Sequence, residues 1–160
     1  MKYIFIINPA AGREDSTPAL KKTISSVFER RGLSYEVYLT VQIGDATRFV
    51  QEYPTEDSSL TCCFIACGGD GTLNEVVSGA VGKPNTVVGV LPCGTGNDFI
   101  RSFGTMETFA NLHNLLGGTV HPIDLMLCGN RYAINLCNIG FDAEVSRNVS
   151  VFRRIPLLSS

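Results

Sequence analysis

An apolar run, Leu60 to Cys67, passes directly into Gly68-Gly69-Asp70-Gly71-Thr72-Leu73-Asn74-Glu75, and an amphipathic stretch follows. This order of strand, glycine turn and helix constrains the fold more than any other stretch. Three glycines let the backbone take positive φ and bring N–H groups close to a ligand. The new helix adds its positive N-terminal end, so the junction favours an anion such as a phosphate. Asp70 amid these donors repels a bare phosphate, yet it can hold a metal ion or accept a proton from an attacking hydroxyl. The simplest use of such a junction is phosphoryl transfer from a nucleotide.

The same alternation recurs along the chain. Lys2 to Ile7 is continuously apolar, as a strand buried on both faces of a parallel sheet must be. It ends in Asn8-Pro9-Ala10-Ala11-Gly12-Arg13. This is either a plain βα turn or a second phosphate-side loop, with Asn8 and the Gly12 backbone near the nucleotide and Arg13 offering charge. A helix follows, capped by Thr17 with Pro18 at its first position and Leu20, Ile24, Val27 and Phe28 in one stripe. Ser34 to Thr40 alternates as a strand, which puts Thr40 at the carboxyl end where open α/β sheets bind ligands. Asp45 is placed to cap the next helix, with Ala46, Phe49, Val50 and Tyr53 inward.

After the central turn, Leu73, Val76, Val77 and Ala80 have core-facing helical spacing, and Thr72-x-x-Glu75 matches a capping box. Thr86 to Leu91 leads into a second glycine turn, Pro92-Cys93-Gly94-Thr95-Gly96-Asn97-Asp98. Two such turns after neighbouring strands meet on one edge of the sheet. Phe99 stands where a dinucleotide fingerprint needs its third glycine, and Gly82-Lys83 runs into Pro84, so neither that motif nor Walker A is present. Thr105 to Leu116 reads as one helix with Phe109, Leu112, Leu115 and Leu116 inward.

Beyond Gly117-Gly118 the pattern changes. Val120 to Cys128 and Arg131 to Ile139 flank Gly129-Asn130, a two-residue hairpin signal. The expected architecture is α/β, a doubly wound and mainly parallel sheet with helices on both faces over residues 1–118. Residues 119–160 begin a second, antiparallel β domain, and the apolar tail at Ile155 to Leu158 suits a chain that is the amino-terminal part of a longer one.

Composition narrows the class. At 160 residues with 44% apolar and 18% charged content, the chain can bury a core and is not of disordered type. A net charge of −2 without a dense basic cluster argues against a nucleic-acid partner. No apolar run reaches the ~18 residues of a membrane span. The first run is too short for a signal peptide, so a cytoplasmic location is expected. The six cysteines form no C-x-x-C pair and lack metal-type spacing with His113 and His121, which fits free, buried thiols.

Three motifs together resemble the diacylglycerol kinase catalytic domain family, which includes bacterial lipid kinases and sphingosine kinases. They are Asn8-Pro9-x-x-Gly12, Gly68-Gly69-Asp70-Gly71-Thr72-x-Asn74-Glu75-Val76 and Pro92-x-Gly94-Thr95-x-Asn97-Asp98-Phe99. They occur in the family's order, within a likeness that runs from Lys2 to about Ala143. The middle motif alone is shared with the distant NAD kinases and phosphofructokinases. The resemblance implies an α/β nucleotide domain followed by a β-sandwich that helps bind the lipid, with the active site between them.

It also implies ATP and Mg²⁺, a lipid acceptor at the membrane surface, and peripheral association with the inner membrane face. A homodimer stays open. On the matching positions, Asn8, Pro9, Ala10, Ala11, Gly12, Thr40, Gly68, Gly69, Asp70, Gly71, Thr72, Leu73, Asn74, Glu75, Thr95, Gly96 and Asn97 would contact the nucleotide. Asp70 would organise Mg²⁺ or water, or take the hydroxyl proton, with Asp98 and Asp124 as supporting carboxylates. The general base of such kinases often lies near the carboxyl end of the full protein, so weak nucleotide binding and little turnover are expected of this chain alone. An NAD-kinase-like phosphotransferase and a non-catalytic nucleotide-binding module are the competing readings.

Overall fold

The computed structural model describes residues 1–55, 59–94 and 96–137. Four strands, β1 (Lys2–Ile7), β2 (Tyr35–Leu39), β3 (Cys62–Gly68) and β4 (Thr86–Pro92), form one fully parallel sheet in the order β2-β1-β3-β4. The continuous apolar runs sit at its centre: Ile4 to Ile7 in β1 and all of β3 are buried. In-register pairs such as Ile7↔Leu39, Ile7↔Cys67 and Cys67↔Leu91 bring the carboxyl ends of the strands to one edge. The loops that carry the three motifs therefore share that edge.

Helices cover both faces, as the α/β pattern requires. On one face α2 (Asp45–Glu52) and α3 (Asp70–Ala80) pack with the short α4 (Asp98–Arg101) and α5 (Met106–Ala110) over Ile4, Ile6, Phe64 and Ala66. On the other, α1 (Thr17–Arg31) and α6 (Leu112–Gly117) lie over Phe5, Ile7, Ile65 and Cys67. Edge-to-face contacts of Phe28 with Tyr3, Phe5 and Tyr35 anchor α1. Helices α2 and α3 touch at Gly79, where a Cβ would lie 2.7 Å from the Thr47 carbonyl oxygen and 2.8 Å from Val50 Cβ.

Three local expectations are corrected. Thr17 is the first helical residue of α1 rather than its cap. Ser16 precedes it, and Asp15 Oδ1 accepts the Thr17 N–H at 2.9 Å. The helix expected over Thr105 to Leu116 is broken at Asn111, whose side chain accepts the His113 N–H at 2.9 Å and so starts α6 afresh. The break carries the chain from one face to the other: Phe109 packs with the α3 layer, whereas Leu112, Leu115 and Leu116 pack with α1. The hairpin forms at Gly129-Asn130, but its strands β5 (Met126–Cys128) and β6 (Arg131–Ala133) span three residues each. Residues 138 and 139 lie outside the described residues.

Cys62, Cys63 and Cys67 are buried, and burial pushes the Cys63 thiol up to about 11. Cys128 departs from the expectation of a buried thiol, being exposed on β5. Among the described residues no helix is long and apolar enough to cross a membrane.

Candidate functional site

The carboxyl edge of the sheet holds a cleft of about 450 Å³, lined among others by Asn8, Ala10, Thr40, Gly71, Thr72 and Glu75. It spans the ends of β2, β1 and β3. Asn8 joins two of its walls: its Oδ1 accepts the Ala10 N–H at 3.0 Å, and its Nδ2 donates to Thr72 Oγ1 at 3.1 Å. Thr40 is held against the end of β1, its N–H donating to the Ile7 carbonyl at 2.9 Å. Because α3 begins at Asp70, the N–H groups of Gly71 and Thr72 belong to its first turn and have no intrahelical partner. Gly71 and Thr72 line the same cleft.

The two glycine turns are built into each other. A Cβ on Gly94 would lie 2.6 Å from Gly69 Cα, and one on Gly12 would lie 2.6 Å from the Cys93 carbonyl oxygen. Side chains are thus excluded where the three loops converge. Asp70, partly exposed at the start of α3, spans the gap: Oδ2 accepts the Asp98 N–H at 3.0 Å and Oδ1 the Phe99 N–H at 3.1 Å. Asn97 sits at φ 56° and is buried, its Nδ2 donating to the Gly94 carbonyl at 2.6 Å. Gly96 faces Asp70, since a Cβ there would meet Oδ2 at 3.2 Å.

Other expected residues take different positions. The capping box does not form: α3 starts at Asp70, so Thr72 is inside the helix. Glu75 instead caps the neighbouring α2, its two oxygens accepting the Gly44 N–H at 2.9 Å and the Ala46 N–H at 3.2 Å. Asp45 closes the preceding loop rather than capping α2; its carboxylate accepts the Val41 N–H at 3.0 Å and pairs with Arg48 at 2.5 Å. Arg48 first, and the Val41 N–H second, hold that carboxyl below its ordinary range.

Leu73 is buried and faces a separate apolar groove of about 860 Å³ beside β4, away from the cleft. Asn74 turns to the hairpin, donating to the Tyr132 carbonyl at 3.3 Å and accepting the Ile134 N–H at 3.1 Å. The Asp98 carboxylate pairs with Arg101 on the surface, and Asp124 is exposed ahead of β5. Thr95 lies outside the described residues. The residues not anticipated are Val41, Gln42 and Ile43, which line the cleft from the loop after β2. Their signal was positional: they follow Thr40 at the ligand-binding edge of the sheet.

The diacylglycerol kinase catalytic domain profile matches residues 2–128, which include all three motif loops. The chain belongs to this family. It is 34% identical over 147 residues to a diacylglycerol kinase of Bacillus subtilis (strain 168), covering 90% of this chain and 47% of that protein. A diacylglycerol kinase of Staphylococcus aureus (strain MRSA252) is 37% identical over 143 residues, covering 88% and 44%. A crystal structure of a diacylglycerol kinase from Bacillus anthracis str. Sterne superposes with a TM-score of 0.63 at 29% identity, over 82% of this chain and 47% of that one. The chain spans less than half the length of these relatives. Its parallel sheet with helices on both faces is the fold expected from the sequence.

Proposed function

We propose that this chain supplies the nucleotide half of an ATP- and Mg²⁺-dependent kinase that phosphorylates the hydroxyl of diacylglycerol or a related lipid. In this reading residues 1–118 form the nucleotide domain and residues 119–160 begin the β domain that joins in binding the lipid. The observation that carries it is the convergence of the Asn8, Gly69 and Gly94 loops on one edge, with Asp70 bridging two of them. Phosphoryl transfer is mostly positioning and charge neutralisation, and backbone donors on a rigid turn supply both.

Each part then has a task. The Gly71 and Thr72 N–H groups and the positive end of α3 hold the phosphates. Asn8 fixes the facing loop against Thr72. Glu75 carries a negative charge, but both of its oxygens are turned toward the α2 N–H groups. Asp70 keeps one lone-pair direction on each oxygen after accepting two N–H bonds, so it can still receive the hydroxyl proton or hold a metal-bound water.

Among the described residues no three carboxylate, histidine or cysteine side chains cluster as a metal cage. That suits Mg²⁺, which is usually held by one or two carboxylates together with substrate phosphates and water. Asp70 is the residue that would hold it, and the ion would supply charge neutralisation on the transferred group.

A radiolabelled ATP assay on the intact protein with diacylglycerol, a sphingoid base and NAD as acceptors tests this reading. Label in the lipid product is expected. Label in NAD alone would replace the lipid reading with the NAD-kinase one.

A further inference from the structure

Asn74 stands within the motif expected to contact the nucleotide, yet it faces elsewhere. The cleft takes Gly71, Thr72 and Glu75 from α3 and not Asn74. Asn74 lies four residues after Asp70, one helical turn on, so the two share a helix face about 6 Å apart along the axis. Asp70 turns to the second glycine turn, and Asn74 turns to β6. Its Nδ2 donates to the Tyr132 carbonyl at 3.3 Å and its Oδ1 accepts the Ile134 N–H at 3.1 Å. One side-chain amide thus pairs with the two backbone groups that flank Ala133, using a donor and an acceptor as a neighbouring strand would.

Apolar contact joins the same two parts, since Leu125 and Ile134 pack against the cluster that contains Leu73 and Val77. Such contact is non-directional and tolerates sliding. The amide of Asn74 does not: a slip of β6 by one residue would turn the next carbonyl and N–H away from it. Resting on the lipid-kinase reading above, in which the hairpin begins the β domain that joins in binding the lipid, we propose that Asn74 is a positioning residue rather than a nucleotide ligand. It sets the spacing between that domain and Asp70, so that the acceptor hydroxyl arrives within reach of the acid and in line with the phosphate. Transfer needs the reacting atoms ~3–3.5 Å apart, and a misplacement of ~1 Å costs about a hundredfold in rate. A two-point clasp one turn from Asp70 holds that distance, whereas apolar packing alone leaves it free to drift.

The test sets calorimetry with ATP beside kcat for diacylglycerol in detergent micelles, for the intact protein and its Asn74→Ala variant. kcat is expected to fall about tenfold to a hundredfold while the affinity and stoichiometry of ATP binding hold. Stoichiometry counts the folded fraction, so a merely destabilised enzyme would lose it together with turnover. Asn74→Asp keeps the size of the side chain and the acceptor for the Ile134 N–H but loses the donor to the Tyr132 carbonyl. It is expected to show the same split, and it decides the matter if the alanine variant does not fold. Unchanged kcat in a folded variant overturns the proposal. Loss of ATP affinity that matches the loss of kcat also overturns it and returns Asn74 to the nucleotide. If the wild type binds ATP but labels no lipid, the lipid reading itself fails and the positioning role falls with it.

Discussion

Asp70 accepts the Phe99 backbone N–H at 3.1 Å, so the acid of the first glycine turn caps the helix that follows the second. The same carboxylate accepts the Asp98 N–H, and a neutral amide cannot replace both acceptors. Asp70→Asn is therefore expected to abolish phosphoryl transfer in the intact protein and to lower stability by about 1–2 kcal/mol through the lost tie. Urea unfolding beside nucleotide titration separates the two effects. Loss of transfer with unchanged stability would mean that the tie contributes nothing.

Asn74 joins α3 to β6 through both ends of its amide. Asn74→Ala leaves the Tyr132 carbonyl and the Ile134 N–H without these partners, a loss of about 1–3 kcal/mol where they stay buried. Hydrogen exchange at the Ile134 amide is the local readout, and its protection is expected to drop while that of the β1 and β3 amides holds.

The depressed Asp45 carboxyl predicts a specific pH dependence. A group whose folded value lies below its ordinary 3.8 contributes fully above that value, and the contribution fades as pH falls through the folded one. Asp45→Asn should melt below wild type at neutral pH, with the gap closing in acid. Melting curves from neutral to strongly acid solution check this, and a gap that widened in acid would contradict the assignment.

Gly94→Ala puts a methyl carbon 2.6 Å from Gly69 Cα, where backbone and not a flexible side chain must yield. A cost of about 1–3 kcal/mol is expected, as for other overpacked sites. Nucleotide affinity should fall alongside the denaturation midpoint, because the displaced backbone belongs to the glycine turn. Gly117→Ala, in α6 and away from the cleft, is the control, since a Cβ there meets nothing within 4 Å.

The sheet was legible because burial on both faces leaves a sequence no alternative to continuous apolar runs, as in Lys2–Ile7 and Cys62–Gly68. The gathering of the motifs on one edge followed from parallel topology alone. What escaped was side-chain destination across distance. Thr72-x-x-Glu75 fits a local cap in spacing, but the orphan N–H groups of α2 lie closer to Glu75 in space than any periodicity can express. Asn74 likewise met β6 some sixty residues on. Phe109, Leu112, Leu115 and Leu116 look like one stripe, and only the cap at Asn111 reveals that they serve opposite faces.

The close approach of α2 and α3 at Gly79, reinforced by Thr47 Oγ1 donating to the Glu75 carbonyl at 3.0 Å, makes the two helices a single stiff lever. The start of α3 carries the glycine turn, and the start of α2 carries the Thr40–Gly44 loop. A bulkier residue at position 79 would force the two helices apart, and with them the loops that each of them starts from.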